Sequence, residues 1–248
     1  IDQGVAIETG NDVTRITTHD QAVTGVRLAD GTTTVADIVI ANVDAEHLYS
    51  DLIDDERALK QVRKADRSTS GFALCIGASG TTDDIGHHNV WFSDDYAQEF
   101  RELDAGRLAT DPTIYGCVSS VTDPSQAPSN SENWFLLVNT PPGADVDAPV
   151  YRDLVLERLA AHGVDLRDRM QFCARLTPAD IEAFYRSPSG AIYGTASNGK
   201  QAAFARPANR GTRNGLYLVG GSSHPGGGLP LVATSAKIVC EMIAQDNE

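Results

Sequence analysis

Residues 215–237 read GLYLVGGSSHPGGGLPLVATSAK, and they predict a strand, a glycine-rich turn and a helix in succession. Leu216–Val219 is a fully apolar run of strand length, which indicates a buried strand. From Val232 onward, apolar residues recur at spacings of three and four, which indicates a helix. Between the two elements lie Gly220, Gly221 and the triplet Gly226–Gly228, so the backbone of this turn can take conformations that other residues avoid.

Two interpretations account for the glycine-rich turn. A tight strand-to-helix connection needs small residues for steric reasons alone. A ligand site is the alternative, because glycine lets a ligand approach the backbone and a helix N-terminus offers free N–H groups and a positive dipole end. The turn is not a dinucleotide-binding fingerprint, since Leu231 stands where G-x-G-x-x-G requires its third glycine.

The same stretch resembles the C-terminal flavin-contacting signature of the bacterial-type phytoene desaturases. These are FAD-dependent carotenoid desaturases in the amine-oxidase-like flavoprotein superfamily. Further stretches resemble the family's motifs and follow in the family's order. They are Gly86–Phe92 (GHHNVWF) with the turn Ser93–Tyr96, Asp111–Tyr115 (DPTIY), Thr122–Pro128 (TDPSQAP) and Arg206–Arg210 (RPANR). The matches span most of the chain from about Gly25 onward.

The resemblance implies that seven residues contribute to an FAD site. Val13 is placed on the adenine side of the cofactor, although its own match is short. The other six are placed beside the ribityl and diphosphate part (Gly220, Gly221) and along the flavin ring (Gly227, Gly228, Leu229, Pro230). The loop departs from the family pattern twice: Leu231 replaces a glycine, and Ser222–Ser223 replaces glycine-threonine.

The resemblance also implies an enzyme that desaturates an apolar isoprenoid such as phytoene in carotenoid biosynthesis, with an apolar channel for the substrate. In the family, the fingerprint that binds the FAD diphosphate lies in an N-terminal segment, and no stretch of this chain fits it. We therefore interpret the chain as a C-terminal half whose partner is the missing N-terminal half, and we expect this half alone to lack FAD and activity. The alternatives are a related flavoprotein acting on another lipid or an amine, and a binding module without chemistry of its own.

Charge and hydropathy limit the partners. The 248-residue chain carries a formal net charge of −14, which argues against nucleic acid, because phosphates demand a basic surface. The same charge argues against simple electrostatic docking on anionic lipid. No apolar run approaches the roughly 18 residues of a membrane span, and no signal peptide is recognised. We expect a cytoplasmic location, with a peripheral membrane contact compatible with an apolar substrate.

The cysteine and histidine patterns predict no metal site. The four cysteines lie far apart without metal-ligand spacing, and we expect them to be buried, reduced thiols. His87 and His88 lie on or beside a strand, where neighbouring side chains point to opposite faces, so they should not chelate one ion together. The functional alternative is that one imidazole faces the substrate cavity or the flavin.

The sequence singles out no catalytic residue, which fits an enzyme whose cofactor carries the redox chemistry. Arg206 and Arg210 flank Pro207 shortly before the apolar strand. Arginine forks bind carboxylates and phosphates well, but surface ion pairs are the simpler interpretation. A role in catalysis for these arginines, or for the two histidines, stays open.

The order of elements predicts an α+β fold with a mixed sheet. Residues 1–64 and 206–248 are expected to form part of an FAD-binding domain, and residues 65–205 a substrate-binding domain. The substrate domain should contain a sheet with one apolar face that helices cover incompletely. The expected strands include Val5–Thr9, Val13–Thr17, Val23–Leu28, Ala36–Ala41, Gly71–Gly77, Thr113–Ser119, Trp134–Asn139 and Met170–Leu176, with a long helix from Asn42 or Asp44 to about Lys64.

Overall fold

A computed structural model describes residues 4–196 and 206–246 of the chain. The chain forms two compact units. The first comprises the residues up to Arg67 and from Tyr193 onward, and the second comprises Ser68–Ile192. Helices and sheets occur together in the described residues, with both parallel and antiparallel strand pairs, so the predicted α+β class is confirmed.

The first unit opens with a three-stranded antiparallel sheet. Its strands are β1 (Val13–His19), β2 (Ala22–Leu28) and β3 (Thr33–Val35), in spatial order β1-β2-β3. The predicted strand at Val5–Thr9 is wrong, because these residues are exposed and form no ladder. Their apolar side chains lack a face to bury, and alternation alone does not hold a strand without a partner.

A parallel strand pair carries the glycine-rich stretch. Strand β4 (Val39–Ala41) pairs with β10 (Leu216–Leu218), with Leu218 opposite Ala41. The strand predicted over residues 36–41 is thus shorter than expected. Helix α6 (Leu229–Asp246) begins three residues before the predicted Val232, since Pro230 is well suited to the first turn of a helix.

The long helix predicted from Asn42 or Asp44 to about Lys64 is divided. Helix α1 (Ala45–His47) continues into a π-helical turn (Leu48–Leu52), and helix α2 (Glu56–Val62) follows after a break. Ile53 has extended backbone angles and is 4% exposed, so the chain leaves the helix to bury that side chain. Asp55 then caps α2 by accepting a hydrogen bond from the Ala58 amide at 3.0 Å.

The second unit is built on a five-stranded antiparallel sheet with the order β6-β7-β8-β5-β9. The strands are β5 (Ser70–Ser79), β6 (His88–Trp91), β7 (Ile114–Cys117), β8 (Ser131–Thr140) and β9 (Met170–Leu176). Its helices are α3 (Tyr96–Asp104), α4 (Ala148–Ala161) and α5 (Pro178–Tyr185). A capping box starts α5: Thr177 and Asp180 bond each other's backbone amides.

The two faces of this sheet differ. One face is buried along β5 and β8 and packs against α4, with Leu74, Trp134 and Leu136 at 1–2% exposure. The other face is half-buried or exposed over most of its area. It carries His88, Tyr115, Cys117, Phe135, Leu137, Cys75 and Phe172. The sheet therefore has the predicted apolar face that helices of its own unit leave uncovered.

None of the helices among the described residues combines the length and apolar character needed to cross a membrane.

Candidate functional site

The candidate site is the loop between β10 and α6 in the first unit. Gly226 and Gly228 have φ angles of 135° and 104°, in a region that residues with a side chain rarely adopt. Gly227 is required for a different reason, since a methyl group placed on it would lie 2.0 Å from the Tyr193 ring. The loop therefore needs glycine at three successive positions, twice for backbone conformation and once for close packing.

One part of the loop is open to the surroundings. Among the residues that the structure describes, none has an atom within 4 Å of a methyl group added to Gly228. Leu229 is 88% exposed and Pro230 is exposed beside it. As the first residues of α6, they lie at the positive end of an 18-residue helix, where amides lack partners within the helix. A flat, electron-rich group could rest here against backbone rather than against side chains.

A buried asparagine ties the loop to its two flanking elements. Asn209 is 2% exposed, and its side-chain amide nitrogen lies 3.0 Å from the Leu218 carbonyl oxygen, 2.8 Å from the His224 carbonyl oxygen and 3.0 Å from Ser235 Oγ. These acceptors belong to the end of β10, the loop and helix α6. A single side chain thus fixes all three pieces relative to one another.

Two buried serines complete this polar core. Ser235 Oγ donates to the His224 carbonyl at 2.8 Å and accepts a bond from the Gly220 amide at 3.3 Å. Ser223 Oγ bonds the Gly220 carbonyl at 3.2 Å and is fully buried. Ser222 Oγ bonds the Val43 carbonyl at 3.0 Å, which anchors the loop beside the end of β4. The two serines that depart from the family pattern therefore have defined partners.

A buried cation lies beneath the loop. Arg206 is 7% exposed and donates from Nη1 to the Gly221 carbonyl at 2.8 Å and to the Tyr193 carbonyl at 2.9 Å. Its guanidinium also lies against Gly226. Burial lowers the pKa of Arg206, but a guanidinium keeps its charge at neutral pH. The loop is therefore held over a fixed positive charge.

The second arginine serves a different purpose. Arg210 pairs with Asp246 near the end of α6 and lies over the Tyr217 ring, 5.8 Å from its centroid. Tyr217 also bonds Asp246, and this hydrogen bond raises the pKa of the tyrosine. The simpler interpretation, an ion pair, is confirmed for Arg210. Arg206 is instead buried and donates to the backbone carbonyls of Tyr193 and Gly221.

The loop lies at the end of the parallel pair where ligands bind in open α/β sheets, outside the carboxyl ends of the strands. Gly220 adjoins Asn42, the residue after β4.

Of the seven residues predicted to contact FAD, Val13 alone lies in a different element from the glycine-rich loop and helix α6. It begins β1 in the three-stranded sheet, opposite Leu28. The structure thus places six of the predicted residues on the loop and at the start of α6, and it places Val13 in another sheet.

A cavity of about 590 Å³ in the first unit does not coincide with this loop. It lies at the opposite end of β10 and β4. Its lining includes Asp37, Ile38, Arg210–Tyr217 and Asp246. We place the candidate site at the loop rather than at this cavity, because the strand carboxyl ends and the start of α6 meet only there.

The prediction for the two histidines is wrong. The rings of His87 and His88 lie side by side with centroids 4.4 Å apart. His87 precedes β6, so the alternation of side chains along a strand does not apply to it. Both rings also approach Cys117, which lies directly opposite His88 in the register of β6 and β7.

The prediction of buried thiols is also wrong. Cys75 and Cys240 are exposed, and Cys117 and Cys173 are partly exposed. All four are free thiols, as predicted. Cys75 and Cys117 are accessible because they lie on the uncovered face of the sheet, which an apolar sequence run cannot reveal.

Sequence reasoning assigned no role to Asn209 or Ser235. Each is a common residue type in an unremarkable context, and their importance arises from burial. A signal did exist: polar residues that precede a buried strand or interrupt the apolar stripe of a helix need partners once they are buried. In this unit the partners are the carbonyl and amide groups of the glycine loop.

No family model matches the chain. Among solved structures, the chain is similar to an oxidoreductase from Methanosarcina mazei, with a TM-score of 0.65 and 16% identity, covering 94% of this chain and 49% of that one. It is also similar to reduced UDP-galactopyranose mutase, with a TM-score of 0.50 and 13% identity over 77% of this chain and 38% of that one. These likenesses define the class of fold.

Curated proteins share a higher sequence identity with this chain than these two solved structures do. The chain is 36% identical over 253 residues to 4,4'-diaponeurosporene oxygenase of Staphylococcus haemolyticus, covering 98% of this chain and 50% of that protein. It is 35% identical over 251 residues to 1-hydroxycarotenoid 3,4-desaturase of Flavobacterium sp. strain P99-3, covering 98% and 51%. The predicted resemblance to the carotenoid desaturases is therefore confirmed along nearly the whole chain, which spans about half the length of the curated relatives it matches.

Proposed function

We propose that this chain is the substrate-binding and flavin-contacting half of an FAD-dependent oxidoreductase that modifies a carotenoid. The first unit supplies one wall of the FAD site, and the second unit binds the apolar polyene. The observation that carries the proposal is the open start of α6 after the glycine loop, in a chain 35–37% identical to carotenoid-modifying enzymes.

The loop fits a flavin in its steric and electrostatic character. Gly228 leaves open space where a side chain would stand, and Leu229 and Pro230 border it without covering it. Arg206 places a positive charge below the loop, which favours an electron-rich ring. Bound FAD would supply the redox chemistry. The residues of this chain would hold the ring in place and exclude water from its surroundings.

The uncovered face of the five-stranded sheet fits an apolar polyene. Leu137, Phe135 and Cys75 lie side by side on β8 and β5, each half-buried or exposed. A polyene has no hydrogen-bonding groups of its own, so its site needs apolar area rather than polar contacts. Covering this face with substrate would also remove apolar surface from water, at about 25 cal/mol per Å².

Two reactions are compatible with this arrangement. Desaturation removes two hydrogens from the substrate, as the name of the flavobacterial relative indicates. Oxygenation is the second candidate, because the staphylococcal relatives named 4,4'-diaponeurosporene oxygenase are equally similar to this chain. The product mass separates the two outcomes, since the first loses two hydrogens and the second gains oxygen.

The proposal is tested on the complete protein, obtained by expressing this chain together with the segment that its relatives carry in addition. We expect a yellow protein with one bound FAD that converts a carotenoid precursor such as diaponeurosporene into a product of altered mass. A complete protein that folds without flavin would contradict the proposed cofactor. One that holds flavin but leaves every carotenoid unchanged would contradict the proposed substrate.

In the complete protein, Gly228→Ala is expected to weaken FAD binding by at least about tenfold, equivalent to about 1.4 kcal/mol. The added methyl group would enter the open space assigned to the flavin, and no atom of residues 4–196 or 206–246 lies within 4 Å of it. The measurement is a titration of the apoprotein with FAD, followed by fluorescence.

Gly31→Ala is the matched control. Gly31 lies in the same unit and also has a positive φ of 88°, and no described residue comes within 4 Å of a methyl group added to it. It should therefore suffer the same kind of backbone strain while leaving FAD affinity unchanged. Equal losses in both variants would show that strain, rather than contact with the cofactor, is responsible.

We expect this 248-residue chain by itself to bind FAD weakly or not at all. Its sequence contains no diphosphate-binding fingerprint, and its net charge of −14 repels an anionic cofactor. The purified chain should be colourless, with no saturable change when FAD is added at micromolar concentration. A stoichiometric, tightly held FAD would show that the diphosphate is bound in another way.

A further inference from the structure

We propose that His87, His88 and Cys117 form a binding site for a divalent transition-metal ion of the zinc type at the edge of the five-stranded sheet. The chain would supply two imidazole nitrogens and one thiolate, and the fourth position would be left to water or another small ligand. This site lies within the second unit and involves none of the residues assigned to the flavin.

The geometry places three ligand groups of the right chemistry together. One nitrogen of each imidazole and the Cys117 sulfur all lie within 4.8 Å of one another. His88 and Cys117 are opposite residues of an antiparallel pair, so the sheet itself sets their separation. His87 reaches the same point from the turn before β6, where its ring packs beside that of His88.

Both imidazole rings are oriented by hydroxyl groups. His87 Nδ1 lies 2.8 Å from Thr122 Oγ1, and His88 Nδ1 lies 2.9 Å from the Tyr115 hydroxyl. Partners of this kind are typical around metal-bound histidines, because they fix the ring and the nitrogen that carries the proton. Two hydroxyl contacts on neighbouring histidines indicate a prepared site rather than two freely rotating side chains.

The contraction that metal binding requires is small. In tetrahedral zinc sites with bond lengths of about 2.0–2.3 Å, ligand atoms lie roughly 3.4 Å apart. The three groups therefore need to close by about an ångström. His88 is exposed and His87 and Cys117 are partly exposed, so rotations about side-chain bonds can make this adjustment without repacking the buried face. Imidazole and thiolate together select zinc-type ions over magnesium or calcium.

The experiment uses this chain in its reduced form and titrates it with Co²⁺, which occupies zinc sites and reports thiolate ligation by absorbance. We expect one Co²⁺ per chain, a thiolate-to-metal charge-transfer band in the near ultraviolet, and loss of that band when Zn²⁺ is added. Cys117→Ser should abolish the band. His88→Ala should weaken affinity beyond the roughly 10–100-fold that loss of an outer partner typically costs.

Cys75→Ser is the matched control, because Cys75 is an exposed thiol on the same face of the sheet and lies away from the histidines. This variant should bind Co²⁺ like the unaltered chain. A second measurement follows alkylation of each thiol by mass spectrometry: Zn²⁺ should slow the reaction of Cys117 and leave that of Cys75 unchanged. The proposal is overturned if no thiolate band forms, if the band survives Cys117→Ser, or if Zn²⁺ fails to protect Cys117.

Discussion

Replacing Asn209 by alanine is expected to lower the free energy of unfolding of the first unit by about 3 kcal/mol, since each buried polar group left without its partner costs about 1–3 kcal/mol. The Asn209 side-chain amide donates hydrogen bonds to acceptors on β10, on the glycine loop and on α6. Its loss leaves the Leu218 carbonyl and Ser235 hydroxyl less well paired in a region that is closed to water. Denaturant unfolding followed by circular dichroism measures the change.

Asn214→Ala is the control for this prediction. Asn214 is an exposed asparagine in the same unit, and the replacement removes its side chain without opening a buried site. We expect a change within about 0.5 kcal/mol, as is usual for surface positions. If Asn209→Ala were equally mild, the buried amide would not be what holds the loop in place.

The strand, glycine-rich loop and helix of residues 215–237 could be predicted from the sequence because their signals are local. An apolar run, a cluster of glycines and a period of 3.6 residues each act over a few positions. The polar core around Asn209 could not be predicted in the same way. Its bonds join residues 9–26 positions apart, and only the folded chain brings those positions together.

The two errors on helices and histidines have a common cause. Local periodicity predicted one helix from Asn42 or Asp44 to about Lys64, but burial of Ile53 and the cap at Asp55 divide it. Alternation along a strand separated His87 from His88, but the strand begins only at His88. In each case the pattern was correct within an element, and the boundary of the element decided the outcome.

Substitution by asparagine should affect stability very differently at two neighbouring positions of β8, Leu136 and Leu137. Leu136 points into the buried face and is 1% exposed, whereas Leu137 lies half-buried on the uncovered face. Leu136→Asn should destabilise the second unit by about 4 kcal/mol, because a buried leucine is lost and an amide without partners replaces it. Leu137→Asn should cost about 1 kcal/mol or less, because its site is already partly open to water.

The same two positions allow an effect on substrate binding to be distinguished from an effect on folding. In the complete protein, Leu137→Asn should retain the fold and the bound flavin but reduce carotenoid turnover by at least about tenfold, a loss of about 1.4 kcal/mol in transition-state binding. The reason is that an amide on the uncovered face must lose its water when an apolar polyene covers it. Circular dichroism, flavin absorbance and product analysis are measured on the same preparation. Unchanged turnover in a folded Leu137→Asn protein would mean that the polyene binds elsewhere, and that the uncovered face of the sheet serves another partner.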